Sequence, residues 1–542
     1  MRIVAIVALC GVAACAQAQN RTITGVNNNL LNPTMGSTGA DLPRGASGPH
    51  YADGIGSLID RGNPRMISNA LSAQSASALG NSRNLSSWTW QWGQFLDHDF
   101  ALVDEGTTEY MPIAVPAGDP HFDPMNTGTV SIDFFRSVHT GGVSTPRTHA
   151  NSLTHWLDGS QVYGSDNLRA TTLREGAGGR MATSAGGFLP YNTSGIHNLP
   201  TNAPNLFLGG DVRANEQVGL TSTHTLFVRE HNRLAGLIEA ANPTWTDEQI
   251  YQRARKLVGA EIQAITYNEW LPAVLGSNAP GTYAGYNDQL DGSIRTEFSS
   301  AAFRIGHTLL NSQLLRVDAG GSTYAGGHLT LAQSFFQPQI VVEPGSMEAI
   351  LRGLGYQQAN TVDTQVIDEV RNLLFGVAPG SPVRDLIATN LQRGRDHGLP
   401  DYNTLREDYG LPRVTTFAEI SSDPAVAQAL EDVYGSVDNI DPWMGLFSED
   451  HLPDCAMGLT ATTIFVDQFT RLREGDRYFY LNDASLTPDE LAFLEGVRLG
   501  DILRLNFGIT DFTGSVFHAI PAPGSLALLG VAGVLGARRR RA

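Results

Sequence analysis

The 542-residue chain predicts a mainly α protein built as a single large helical domain. Three observations point there. Apolar residues recur three and four positions apart over long stretches, above all between His224 and Leu271, the pattern of helices with one buried face. Helix-start signals precede such stretches: Asn63-Pro64, and the capping box Thr246-Asp247-Glu248-Gln249. No internal repeat or linker-like run divides the chain, and a composition of 42% hydrophobic and 17% charged residues is that of a globular core.

Taken in order, residues 1–18 read as a secretory signal. Arg2 is the charged start, Ile3 to Ala14 is apolar, and Ala16-Gln17-Ala18 fits a cleavage site. Val12-Ala13-Ala14-Cys15 also fits a lipoprotein box with Cys15 lipidated. Cleavage after Ala18 leaves Cys455 as the only cysteine, so no intramolecular disulfide is expected and a buried, inert thiol is. Residues 19–62, rich in Asn, Gly, Pro and Thr, form an extended arm. Residues 519–542 are a second address: Pro521-Ala522-Pro523, apolar Ser525 to Ala537, then Arg538 to Arg541. The apolar run is short of the roughly 20 residues of a stable span. It resembles PEP-CTERM sorting tails, which implies an exosortase-type partner, only transient membrane contact, and export across the inner membrane of a Gram-negative bacterium to the outside or the cell surface. A weak anchor is the plain alternative. A net charge of −18 argues against nucleic acid as a partner.

Between the two addresses, 63–518 is the body. Helical spacing dominates from Pro64 to Asp99. Residues 101–152 and 165–212 are loop-rich, the latter with weak hairpin signals, and Gln161-Val162-Tyr163 reads as a strand. Further helices are expected at His224–Ala241, Thr246–Leu271, 297–312, 346–353, 363–375, 383–391, 416–433, 459–472 and 488–504.

Five blocks carry chemistry. In Trp92–Phe100, Gln94, Asp97 and His98 stand at i, i+3 and i+4 and share a helix face, while Asp99 points about 100° away. That suits a buried redox centre with a structural cation behind it, though an ordinary surface helix has such triplets too. In Leu153–Ser160, Thr154, Trp156, Asp158 and Ser160 alternate, so two hydroxyls, a carboxylate and the Trp156 carbonyl can converge; with Asp99 they make an all-oxygen shell suited to calcium, and without it a polar turn. In Asp211–Gln217, Arg213 aimed into a cavity polarises a peroxide and stabilises charge as its O–O bond breaks, with Glu216 three residues on; the plain reading is a surface salt bridge. In Ala301–Thr308, His307 sits among apolar residues, as a core histidine or a ligand. In Asn390–Gly398, Asn390 can accept Nδ1–H from a metal-bound imidazole, or the block is a helix end with a glycine stop.

In this order the five blocks resemble the animal-type haem peroxidases, the family of myeloperoxidase, lactoperoxidase and peroxidasin, over about Asn63 to Asn506. The resemblance implies a helical fold around one buried haem b. It implies His98 as distal base, Gln94 as distal amide, Arg213 as distal arginine, His307 as iron ligand, Asn390 as its partner and Arg393 as a proximal-side arginine. Asp97 and Glu216 match acids that form esters with haem methyls. Asp99, Thr154, Trp156, Asp158 and Ser160 match the calcium ligands. The implied activity is oxidation of a halide, thiocyanate or organic donor by hydrogen peroxide through a ferryl haem intermediate. Gln217 stands where myeloperoxidase has a haem-linked methionine, so efficient chloride oxidation is not expected. Two rivals are a haem-dependent fatty-acid dioxygenase and a secreted, calcium-stabilised matrix protein with a vestigial site.

Overall fold

Asn63 accepts hydrogen bonds from the Arg65 and Met66 amides, and Pro64 opens helix α1 (Pro64–Leu71). The structure, a computed structural model, describes residues 20–74, 80–373 and 384–520; the predicted signal segment, and the sorting tail from Pro521 onward, lie outside the described residues. Helix α2 (Trp88–Phe100) buries Trp88, Trp92, Phe95, Leu96 and Phe100 completely. Its Phe95 stacks on Phe227 of α4 (Val218–Ala241) with ring centroids 5.1 Å apart. Burial of each of these phenylalanines contributes roughly 2–3 kcal/mol. Helix α5 (Asp247–Ile265) starts at the predicted capping box, with the Gln249 amide donating to Thr246 Oγ1 at 3.3 Å and the Thr246 amide to Gln249 Oε1 at 2.9 Å.

The remaining principal helices are α6 (Thr296–Ser300), α7 (Ser346–Tyr356), α8 (Leu386–Asp396), α9 (Pro424–Tyr434), α10 (Leu459–Glu474), α11 (Pro488–Gly496) and α12 (Leu499–Phe507); α3 is a single turn at Ser160–Tyr163. Strand content is small. β1 (Glu105–Tyr110) pairs antiparallel with β4 (Phe135–Ser137), enclosing the pair β2 (Ile113–Ala114) and β3 (Ser131–Ile132), and β5 (Gln313–Leu314) pairs with β6 (Leu329–Thr330). Fully buried Arg65 of α1 donates to Asp119, Asp385 and Asn372, so one cation ties α1 to the start of α8. Cys455 is buried, its Sγ 3.3 Å from Thr462 Oγ1. Among the described residues no helix is long and apolar enough to cross a membrane.

Several expectations change. Gln161-Val162-Tyr163 is helical rather than extended: the Val162 and Tyr163 amides turn back to the Gly159 carbonyl, which the left-handed Gly159 (φ 81°) makes possible. The 297–312 helix is α6 followed, after a break at Ala301, by a 3-10 segment, Ala302–His307. The 416–433 helix reduces to α9 preceded by one 3-10 turn, because Pro424 sits at a helix start. The 488–504 helix breaks at Val497 into α11 and α12. Within 363–375 only Asp368–Arg371 is helical among the described residues. The helix expected from His224 begins six residues earlier, capped by Gln217, and that expected to end at 391 continues to Asp396. The one expected through Leu271 becomes a π-turn, Thr266–Trp270, after Ile265.

Candidate active site

A cavity of about 360 Å³ opens where α2, the loop entering α4, the 3-10 segment and α8 meet. Gln94, Asp97 and His98 line it from α2, as their spacing predicts. Arg213, Glu216 and Gln217 line it from the loop, His307 and Arg304 from the 3-10 segment, and Arg393 and His397 from α8 and its end. The segment kinks at Arg304 (φ −83°, ψ 17°), and both Arg304 and His307 face the cavity from it.

Arg213 is held on three sides. Its Nε and Nη2 donate to the two oxygens of Asp211 at 2.9 and 3.0 Å, Nη1 donates to Asp97 Oδ2 at 2.9 Å, and Nη2 to the Ala101 carbonyl at 3.1 Å. Although Asp211 is buried and Arg213 half-buried, each ionises the other: Arg213 is pushed up by Asp211 and Asp97, and Asp211 is held below the usual carboxylate range by Arg213. His98 is 2% exposed, and burial together with Arg213 holds it well below its ordinary value, so the imidazole is neutral. Its Nε2 lies 3.9 Å from Glu216 Oε2 and its Nδ1 3.5 Å from Asp211 Oδ1. Burial raises Asp97, and pushes Glu216 up to about 7.

An amide chain fixes the rest of this wall. Gln217 Oε1 accepts from the Gly219 amide at 2.6 Å, and Gln217 Nε2 donates to Gln91 Oε1 at 2.5 Å and Gln94 Oε1 at 3.2 Å. Gln94 is thereby oriented so that Nε2 donates to Glu216 Oε2 at 3.3 Å.

His307 is driven down to about 3 by burial and by Arg304, leaving a neutral ring able to ligate a metal. Asn390 is in contact with it, but Nδ2 rather than Oδ1 faces His307 Nδ1, at 2.9 Å, and Oδ1 accepts from Arg304 Nη1 at 2.7 Å. The expected direction, Asn390 accepting Nδ1–H, is therefore reversed here. The cause is Arg304, a donor-only group that claims the amide oxygen. Arg393 engages the β1–β4 ribbon, donating to Glu105 Oε2 at 2.9 Å, Ser137 Oγ at 2.7 Å and Asp396 Oδ2 at 3.0 Å.

Asp99 turns away from the cavity, as predicted, and meets the second block. Its carboxylate accepts from the Ser160 amide at 2.6 Å and the Gly159 amide at 3.2 Å, and Ser160 Oγ donates to its carbonyl at 2.5 Å. Thr154 Oγ1 donates to Asp158 Oδ1 at 3.1 Å. Burial, reinforced by Asp158, raises Asp99 well above the usual range, and Asp158 is raised by burial. Trp156 is fully buried, its indole wedged so tightly that a Cβ on Gly36 would come within 2.6 Å of it. Two buried carboxylates among hydroxyl oxygens fit a hard cation. Among the described residues no group of three or more His, Cys, Asp or Glu is placed to hold a metal ion, so a cation here would depend on hydroxyl and carbonyl oxygens beside the two carboxylates.

Sequence reasoning passed over Asp211 and Arg304 as site residues. The first was legible as an Asx turn, its Oδ1 accepting the Arg213 amide two residues on at 2.8 Å. The second owes its place to the break at Ala301 and the kink at Arg304, which an unbroken helix over 297–312 did not anticipate.

Comparison with known proteins agrees with this geometry. Residues 20–517 match the family described as animal haem peroxidase. Peroxidasin of Drosophila melanogaster is 32% identical over 90% of the chain; the match spans 35% of the relative, so the chain covers about a third of the length of that curated protein. The structure of Peroxidase A from Dictyostelium discoideum superposes with a TM-score of 0.82 at 31% identity, covering 93% of this chain and 99% of that one. The fatty acid alpha-dioxygenase of Oryza sativa shares the fold, with a TM-score of 0.77 over 92% of this chain and 87% of that one at 22% identity. A family match over most of the chain, joined to a helical fold that gathers four of the five blocks around one cavity and sets the fifth against Asp99 behind it, establishes that the chain belongs to the animal haem peroxidase family.

Proposed function

We propose that this protein is a secreted haem peroxidase that reduces hydrogen peroxide and oxidises bromide, iodide, thiocyanate or small organic donors. The observation that carries the reading is one cavity that gathers a neutral buried His98, a clamped cationic Arg213 and a neutral His307 beside Asn390. Haem b fits these residues, with His307 Nε2 as its ligand, and when bound supplies the iron at which peroxide is reduced and to which the donor returns electrons. Such ligation leaves Nδ1 protonated, which needs the Asn390 amide turned over and a different acceptor for Arg304.

The chain's own groups do the proton work. Neutral His98 takes the proton from the inner peroxide oxygen and hands it to the leaving oxygen, so that water departs. Arg213, pre-aimed by Asp211, stabilises negative charge as the O–O bond breaks and need not reorganise to do so. Gln94, held by Gln217, presents its amide beside them. Asp97 and Glu216 have their carboxyls at the cavity and are the groups for ester links to haem. Asp99, Thr154, Asp158, Ser160 and the Trp156 carbonyl would hold calcium, fastening α2 to the 154–160 loop. Gln217 cannot form the sulfonium link of a methionine, so chloride should be oxidised less efficiently than bromide or iodide. Export follows from the 1–18 segment, and sorting by an exosortase-type machinery from 519–542.

The test is an absorbance spectrum of purified protein before and after one equivalent of hydrogen peroxide. A Soret band that shifts at once and is restored by bromide or iodide is expected. Absence of a Soret band after haem supplementation would overturn the reading. The dioxygenase alternative needs a tyrosine above the haem, and among the described residues no tyrosine lines the cavity. Oxygen consumption with a polyunsaturated fatty acid would reverse that preference.

A further inference from the structure

His98 Nδ1 is sealed from water and has no hydrogen-bond partner among the described residues. A buried polar nitrogen is almost always satisfied, so this one calls for an acceptor or a donor. The nearest charged oxygen is Asp211 Oδ1, 3.5 Å away, a separation too short to admit a water and only slightly longer than a hydrogen bond. Asp211 is itself 1% exposed and already accepts from Nε and Nη2 of Arg213. His224 packs behind, its ring centroid 6.2 Å from that of His98; its Nδ1 is 2.9 Å from the Gln161 carbonyl, an acceptor, so Nδ1 carries that ring's proton. A neutral His224 brings no competing charge, leaving Asp211 as the anion that faces His98 from behind.

We propose that Asp211 is the positioning residue of the peroxide-cleaving pair: one carboxylate accepts Nδ1–H of His98 and grips Arg213 at the same time. Two consequences follow from that geometry. Accepting Nδ1–H selects the tautomer in which His98 Nε2 is the bare base toward the cavity. Gripping Arg213 through both oxygens fixes base and cation in one frame, so neither can reorient without the other. The inference rests on the peroxidase reading, in which His98 is the base, and is tested so that the two can fail separately.

The measurement is ligand association with the haem-loaded full chain, followed by stopped flow with two probes. Hydrogen cyanide must give up a proton to a distal base as it binds, whereas nitric oxide gives up none. Asp211→Asn keeps the shape but can present an amide donor to His98 Nδ1, which drives the proton onto Nε2. Cyanide association is expected to fall by about 100-fold, the scale of general base assistance, with nitric oxide association and the Soret band preserved. Asp211→Glu, which keeps an anionic acceptor, is expected to recover part of that loss. Unchanged cyanide association in Asp211→Asn, alongside slow association in His98→Ala, overturns the inference and leaves the peroxidase reading intact. Unchanged association in His98→Ala removes the base and both readings of it. Should Asp211→Asn fail to take up haem, an Asp211→Glu protein with slowed nitric oxide as well as slowed cyanide association would mark a merely structural role and overturn the inference.

Discussion

Among single residues, the site is a set of groups whose ionisation is decided by surroundings rather than by type. Arg213 keeps its charge in a half-buried position because Asp211 and Asp97 surround it, and His98 loses its proton because it is buried and the same arginine is near. Replacing Arg213 by Ala should therefore do two things. The reaction with peroxide should slow by about 100- to 1,000-fold, the cost of one pre-organised charge. Asp211 should also be left as an uncompensated buried acid, so thermal stability should fall; stopped-flow mixing and a melting curve check the two parts. Gln217 makes a second case of the same kind. Gln217→Leu strips a donor from the buried Gln91 oxygen, at about 1–3 kcal/mol, and one from the half-buried Gln94. Urea unfolding should register that loss, and halide preference should change as the Gln94 amide is freed.

One level up, α8, the helix that carries Asn390 and Arg393, is fixed by a cap and a buried ion pair at its start. Asp385 caps α8 through the Ile387 and Ala388 amides, at 2.9 and 3.0 Å, and meets Arg65 Nη1 at 2.7 Å. Asp385→Ala removes a cap and half of the charge around a fully buried arginine. A loss of about 3–5 kcal/mol is expected, the range for breaking a buried pair from one side. Because Asn390 and Arg393 ride on α8, the Soret maximum should move along with the unfolding midpoint; a destabilised protein with an unaltered spectrum would detach α8 from the proximal side. The 3-10 segment shows the same dependence of site on element. The kink at Arg304, rather than a regular helical turn, sets where that side chain lies relative to His307.

Across the molecule, pH and calcium act on the fold as a unit. His231 lies buried between Tyr163 OH, which donates to its Nδ1 at 2.9 Å, and the Gly179 carbonyl, which accepts from its Nε2 at 2.8 Å. Burial lowers it from 6.5 to about 4. The unfolded chain thus binds a proton that the folded protein refuses, and the stability from this group is present above pH 6.5 and lost as pH falls toward 4. The loss amounts to about 2 kcal/mol between pH 7 and pH 5. In His231→Gln, urea unfolding at the two pH values should show a slope smaller by that amount. Calcium belongs here because it would join α2 to the 154–160 loop across the core. Chelation should lower the melting temperature and perturb the Soret band together, since Asp99 directly follows His98 on the same helical turn of α2. A metal-free protein with full activity and an unchanged melting curve would remove the calcium assignment.

Local sequence dictates which residues share a helix face and where several helices start. Gln94, Asp97 and His98 had to lie together and Asp99 apart, because 3.6 residues per turn allows nothing else once Trp88–Phe100 is helical. The Thr246 capping box and the Asn63-Pro64 start are likewise local chemistry, legible without the rest of the chain. The breaks at Ala301 and Val497, the helical turn at Ser160–Tyr163 and the early start of α4 come from packing and from caps by residues that a window of apolar spacing does not weigh. That Arg304 claims the Asn390 oxygen, and that Asp211 faces His98 from far along the chain, could be known only from the folded molecule, since both depend on long-range closeness. Periodicity assigns a side chain its direction; what stands at the end of that direction is settled by the fold.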